Sequence, residues 1–61
     1  MSVDLIQKIQ RSLAAAGHNP GKIDGVLGDQ TMIAVENFQR AKGMPSGGLT
    51  LDTLEELGVS R

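Results

Sequence analysis

Cysteine is absent from the chain, so no disulfide supports the fold and no thiolate metal site exists. The single histidine, His18, rules out a histidine-rich metal cage, and no cofactor is expected. Tryptophan and tyrosine are also missing, and Phe38 is the one aromatic residue. Surfaces that bind sugars or single-stranded nucleic acid lean on exposed rings, and one ring offers little to such a surface. Neither sign of charge dominates: six basic and seven acidic residues leave a net charge of −1. That balance gives no electrostatic footprint for nucleic acid or anionic lipid, so neither is expected as a partner. No apolar run approaches the length of a membrane span. The opening Met1-Ser2-Val3-Asp4 lacks a basic n-region and an apolar h-region, so it does not read as a signal peptide. A role outside the cytoplasm then requires an export signal elsewhere or release by lysis.

What the chain does have is aliphatic residues and helical periodicity. Its 61 residues make one domain, 1–61. A chain of this size buries only about 60% of its unfolded surface, so its core must be used efficiently. Leu5, Ile6, Ile9, Leu13, Ile23, Leu27, Val35, Leu54 and Leu57 are the candidate core residues.

Ile6, Ile9, Leu13 and Ala16 recur at helical spacing and predict a first helix over 3–16. Ser2 is its expected N-cap, Asp4 lies in its first turn, and Gly17 can take the left-handed conformation that ends it. Residues 18–27 read as an irregular loop. Asn19-Pro20-Gly21-Lys22 has proline and glycine where a type II turn wants them, and Asp24-Gly25 marks a second turn. Ile23, apolar within this polar stretch, is expected to anchor the loop to the core. A second helix is predicted over 29–42, with Thr31, Ala34, Val35 and Phe38 on one face. Gly43 and Pro45 stop it. A short third helix is predicted over 51–57, with Thr50 as N-cap, Leu49 and Leu54 at hydrophobic-staple spacing, and Gly58 at its end. Val59 is then free to fold back onto the core. The fold class is therefore all-α, three helices with a long ordered loop between the first two.

A weak internal echo runs through this pattern. Ile9-Gln10-Arg11 matches Phe38-Gln39-Arg40 in type. Gly25-Val26 through Thr31 also parallels Gly48-Leu49 through Thr53, with threonine at the third helical position in both. Gln10 and Gln39 each follow a core residue and are placed to satisfy loop backbone groups.

Four stretches carry a family resemblance. The first helix reads Ile6-x-x-Ile9-Gln10-x-x-Leu13-x-x-x-Gly17. The loop reads Pro20-Gly21-x-Ile23-Asp24-Gly25-x-Leu27-Gly28. The second helix reads Thr31-x-x-Ala34-Val35-x-x-Phe38-Gln39, followed by Gly43, and the close reads Gly48-x-x-x-x-Thr53-Leu54-x-x-Leu57. Together they resemble the peptidoglycan-binding-domain family, a three-helix module appended to bacterial cell-wall hydrolases and phage endolysins. The family usually has an aromatic residue in place of His18, often phenylalanine in place of Leu27, and often tryptophan near Leu54. The resemblance implies noncovalent attachment to peptidoglycan, through its stem peptide or glycan, by a monomeric module that targets a tethered catalytic domain to the cell wall or periplasm. Without exposed aromatics, recognition should be polar and directed more to the stem peptide than to the glycan.

The expected groove lies between the 22–28 loop and the start of the second helix. Its candidate ligand-binding residues are His18, Lys22, Asp24, Gly25, Gly28, Asp29, Gln30, Thr31 and Asn37. Gly25 and Gly28 are expected to hold conformations or close approaches that a side chain would block. Asp24 is expected to accept from nearby backbone amides. The amides at 28–31 open the second helix and suit a carboxylate, while Thr31 is placed to reach back and cap the turn. His18, at the end of the first helix, partly covers the core, and Phe38 packs within it. Glu55 and Glu56 point in different directions as helical neighbours, so they cannot flank one bond, and no nucleophile–base pair is readable. The chain is therefore expected to be non-catalytic.

Two other function classes compete with this one. A protein-interaction or spacer domain of the same fold, in a propeptide, secretion or phage-tail assembly, would use an exposed apolar patch around Met32 and Ile33. A helix-turn-helix DNA binder fails on charge and on its ten-residue loop, where three or four residues are expected.

Overall fold

The computed structural model describes residues 2–59. Three α-helices follow in order among them: α1 (Val3–Ala15), α2 (Asp29–Ala41) and α3 (Leu51–Leu57). The first two end one residue earlier than the periodicity predicts, because Ala16 and Lys42 serve as C-caps.

Local chemistry accounts for each boundary. The Ser2 hydroxyl accepts from the Leu5 amide at 3.1 Å and opens α1. The Thr50 hydroxyl accepts from the Thr53 amide at 3.2 Å and opens α3. Gly28 opens α2 with no side-chain cap. All three helices stop the same way, with a left-handed glycine (Gly17, Gly43 or Gly58) whose amide bonds back three residues. The next amide reaches back five residues: His18 to Leu13, Met44 to Gln39, and Val59 to Leu54. This paired arrangement satisfies carbonyls that a helix end otherwise leaves open.

Ile9, Leu13, Ala34, Val35, Phe38, Leu54 and Val59 form the buried core, with Leu5, Leu49 and Leu57 packed against it. α1 lies against both α2 and α3. Val59 does fold back as expected, and Leu49 and Leu54 take their staple positions. Ile23 departs from expectation: it is 39% exposed and does not anchor the loop. Ala16 is also exposed, carried out of the α1 stripe by the helix end.

Candidate functional site

Two buried glutamines position the loops. Gln10 and Gln39 are both fully buried, one on α1 and one on α2. A buried carboxamide is costly unless its donors and acceptor are used, and here both are used. Gln10 Oε1 accepts from the Gly25 amide at 2.9 Å. Its Nε2 donates to Val26 O (3.0 Å), Asp24 Oδ1 (3.1 Å) and Thr31 Oγ1 (3.1 Å). Gln39 repeats the pattern one helix later. Its Oε1 accepts from the Gly47 amide at 3.1 Å, and its Nε2 donates to Gly48 O (3.2 Å) and Thr53 Oγ1 (2.9 Å).

These bonds set the register of the internal repeat. Gly25 corresponds to Gly47, Val26 to Gly48, and Thr31 to Thr53. The sequence echo paired Gly25 with Gly48, one residue out, because it followed glycine identity and not the bonded amide. The two units differ in length. Gly25 lies 15 positions after its glutamine, and Gly47 lies 8 after its own.

The longer first loop forms one wall of an open depression of about 200 Å³. Pro20, Gly21, Lys22, Asp24 and Val26 line it from the loop, and Gly28, Asp29, Gln30 and Thr31 from the start of α2. The structure therefore brings Lys22, Asp24, Gly28, Asp29, Gln30 and Thr31 together. It does not bring in His18 or Asn37. His18 is half-buried and stands edge-on to Phe38, with ring centroids 5.9 Å apart and planes at 87°. Its place in the chain carries it onto the core side of α1's end. Asn37 is exposed further along α2 and bonds Arg40. Ile33 is exposed and Met32 is half-buried on the same helix.

The walls are fixed from within. Asn19 Oδ1 accepts from the Gly21 amide at 2.9 Å, and Gln30 Nε2 donates to Asn19 O at 3.0 Å. The Thr31 hydroxyl donates to Pro20 O at 2.9 Å while accepting from Gln10. Thr31 thus ties the loop down and does not cap the turn, correcting the sequence expectation. Gly25 is buried, with φ +76°, and a Cβ there would stand 2.5 Å from Val3 Cγ1. Its amide and its side-chain space are both taken, so it braces the depression from behind. Gly28 differs from expectation: its φ of −82° is open to any residue, and a Cβ would meet nothing within 4 Å. Its missing side chain leaves space at the mouth of the depression.

Asp24 Oδ1 accepts from the Val26 amide at 3.0 Å, as expected of a turn aspartate. That bond, then the Gln10 carboxamide, with a smaller contribution from the Lys22 charge, holds its carboxyl below the usual aspartate value. Asp24 is therefore a fixed anion beside Lys22 and Asp29 in an otherwise neutral rim. Pro20 and Gly21 line the depression from outside the expected 22–28 wall, and Val26 lies within that wall without having been singled out. The Pro-Gly turn was a usable signal for the first two; Val26 carried none. Among the described residues no group of three His, Cys, Asp or Glu could hold a metal ion, and no helix is long and apolar enough to cross a membrane.

A family model described as "Putative peptidoglycan binding domain" matches residues 2–57. The chain is also similar to SltB3 from Pseudomonas aeruginosa, solved in complex with NAG-anhNAM-pentapeptide, with a TM-score of 0.86 and 37% sequence identity. The similarity covers 97% of this chain and 16% of the SltB3 chain, so it spans a small part of that protein. None of the curated proteins matches the chain.

Proposed function

The chain belongs to the peptidoglycan-binding domain family, and we propose that it holds peptidoglycan noncovalently in the depression between its first loop and the start of α2. Family membership supports peptidoglycan as the partner and the cell wall as the place of action. The observation that favours this depression is its composition: charges of both signs, Lys22 against Asp24 and Asp29, on walls braced by internal hydrogen bonds. A rigid polar rim suits the ammonium, carboxylate and amide groups of a stem peptide. It suits a sugar face less well, because the one aromatic ring, Phe38, is buried.

In this reading Lys22, Asp24, Asp29 and Gln30 touch the ligand. Gly28 gives it room, and Gly25 and Thr31 hold the wall in place. His18 and Asn37 lie outside the depression, so they take part only if the ligand extends along α2. The module is monomeric, forms one domain and performs no catalysis itself. Its role is to keep an attached cell-wall hydrolase at the wall. Modest affinity is enough for that, since tethering turns the second encounter into an intramolecular one.

Pelleting with insoluble sacculi tests the function. Saturable depletion relative to a control protein of similar size is the expected result. Titration of the labelled domain with soluble muropeptides tests the placement, with shifts expected at residues 20–31. Shifts confined to the outer faces around Lys8 or Glu55 would move the site elsewhere. Depletion absent at high concentration would favour a protein-interaction role.

A further inference from the structure

The two loop–helix units serve as each other's control. Val26 and Gly48 occupy equivalent positions, each with its carbonyl accepting from the buried glutamine of its own unit. In the second unit that residue is glycine, so the bracket forms without any side chain there. In the first unit the residue is a valine that is 60% exposed. Its backbone is held at both ends, the amide by Asp24 Oδ1 and the carbonyl by Gln10 Nε2. The isopropyl group therefore cannot turn inward without breaking a bond.

A lone exposed aliphatic residue needs no explanation. Val26 is different because it borders the depression, and among the described residues the only other apolar one on that border, Pro20, is buried. A fixed apolar surface thus stands beside Lys22, Asp24 and Asp29, where the fold does not require one. The depression, at about 200 Å³, falls short of the roughly 300 Å³ at which drug-sized pockets begin, so it takes a piece about the size of one residue.

We propose that Val26 is a specificity-determining residue that selects wall peptides presenting a small apolar side chain, an alanine-type methyl, against it. This rests on the depression being the binding site. Burial of one methyl against Val26 corresponds to about fourfold in affinity.

The test titrates the labelled domain with a synthetic wall pentapeptide and with a panel in which each alanine in turn is replaced by glycine. One replacement is expected to weaken binding about fourfold. In Val26→Thr, which keeps the shape but exchanges a methyl for a hydroxyl, the ratio between the two affinities should fall towards one, whatever the change in absolute affinity. A merely structural role would weaken all peptides alike. Unchanged preference in Val26→Thr, or no preference in the wild type, overturns the proposal. So does failure of every peptide to bind while the domain still pellets with sacculi, which leaves wall attachment standing. Failure to pellet at all would instead remove the functional reading beneath it.

Discussion

Replacing Gln10 by methionine isolates what the first glutamine contributes. Methionine fills nearly the same space, so the core keeps its packing while one accepted bond and three acceptors shared by two N–H groups are lost. The losses are unequal. Asp24 Oδ1 keeps its bond from Val26, and the Thr31 hydroxyl keeps Pro20. The Gly25 amide, in a buried residue, loses its acceptor outright. An orphaned buried donor costs about 1–3 kcal/mol, and the remaining bonds add about 0.5–1.5 kcal/mol each where nothing replaces them. We expect a total near 3 kcal/mol, a large part of the stability of so small a domain. Gln39→Met is the companion variant. It removes three bonds, and its lost amide belongs to Gly47, which is exposed and can be rehydrated. Its cost should be smaller by about 1 kcal/mol. Urea unfolding followed by circular dichroism measures both. With a slope of about 1 kcal/mol/M, Gln10→Met lowers the midpoint by about 3 M. Equal losses in the two variants, or a loss below about 0.5 kcal/mol for Gln10→Met, would refute the view that buried amides fix these loops.

Other expectations follow from single positions. Gly25→Ala places a Cβ against Val3 in a left-handed residue, so thermal melts should show a loss of about 2 kcal/mol or more. Gly28→Ser supplies the cap that α2 lacks, and should stabilise by a few tenths of a kcal/mol, roughly 0.3, while its side chain narrows the depression and reduces retention on sacculi. A rise in both stability and retention would contradict the proposed site. Asp24 has a lowered folded-state value, so its contribution is present above the ordinary aspartate range of about 3.9 and is lost as pH falls through its folded value. Protection of the Val26 amide, taken as its exchange rate relative to the intrinsic rate at the same pH, should therefore fall in acid, and Asp24→Asn should remove that dependence; an unchanged profile in Asp24→Asn would assign it to another group.

Helix ends were legible because they are local. Ser2, Thr50 and the terminating glycines act within one turn, so sequence spacing alone locates them. Gln10 and Gln39 were also recognised as loop-binding residues, since an amide beside a core position has few other uses. The loop itself was harder. Ile23 looked like an anchor by hydropathy, but the backbone is held by Gln10 at Gly25 and Val26, which leaves Ile23 outside. Thr31 looked like a cap because the Pro20 carbonyl it serves lies 11 residues away. Asn37 shares a helix face with Gln30 but lies two turns further along α2, roughly 10 Å away, and the turn at Gly17 carries His18 against Phe38, so both fall outside the depression. Tertiary bonds decide each of these positions, and no periodicity announces them.

The unequal spacing of the two brackets bears on how such a module can change its target. Both ends of the first loop are clamped, and its span is nearly twice that of the second. A doubling of loop length costs only about 0.6 kcal/mol in closure entropy. Within that stretch Asn19 and Pro20 are tied to α2 through their backbone carbonyls, whereas Lys22 and Ile23 are exposed and belong to no core contact. Side chains at the latter two can be rewritten without altering a residue of the hydrophobic core, so under the proposed reading recognition can drift while the scaffold stays fixed.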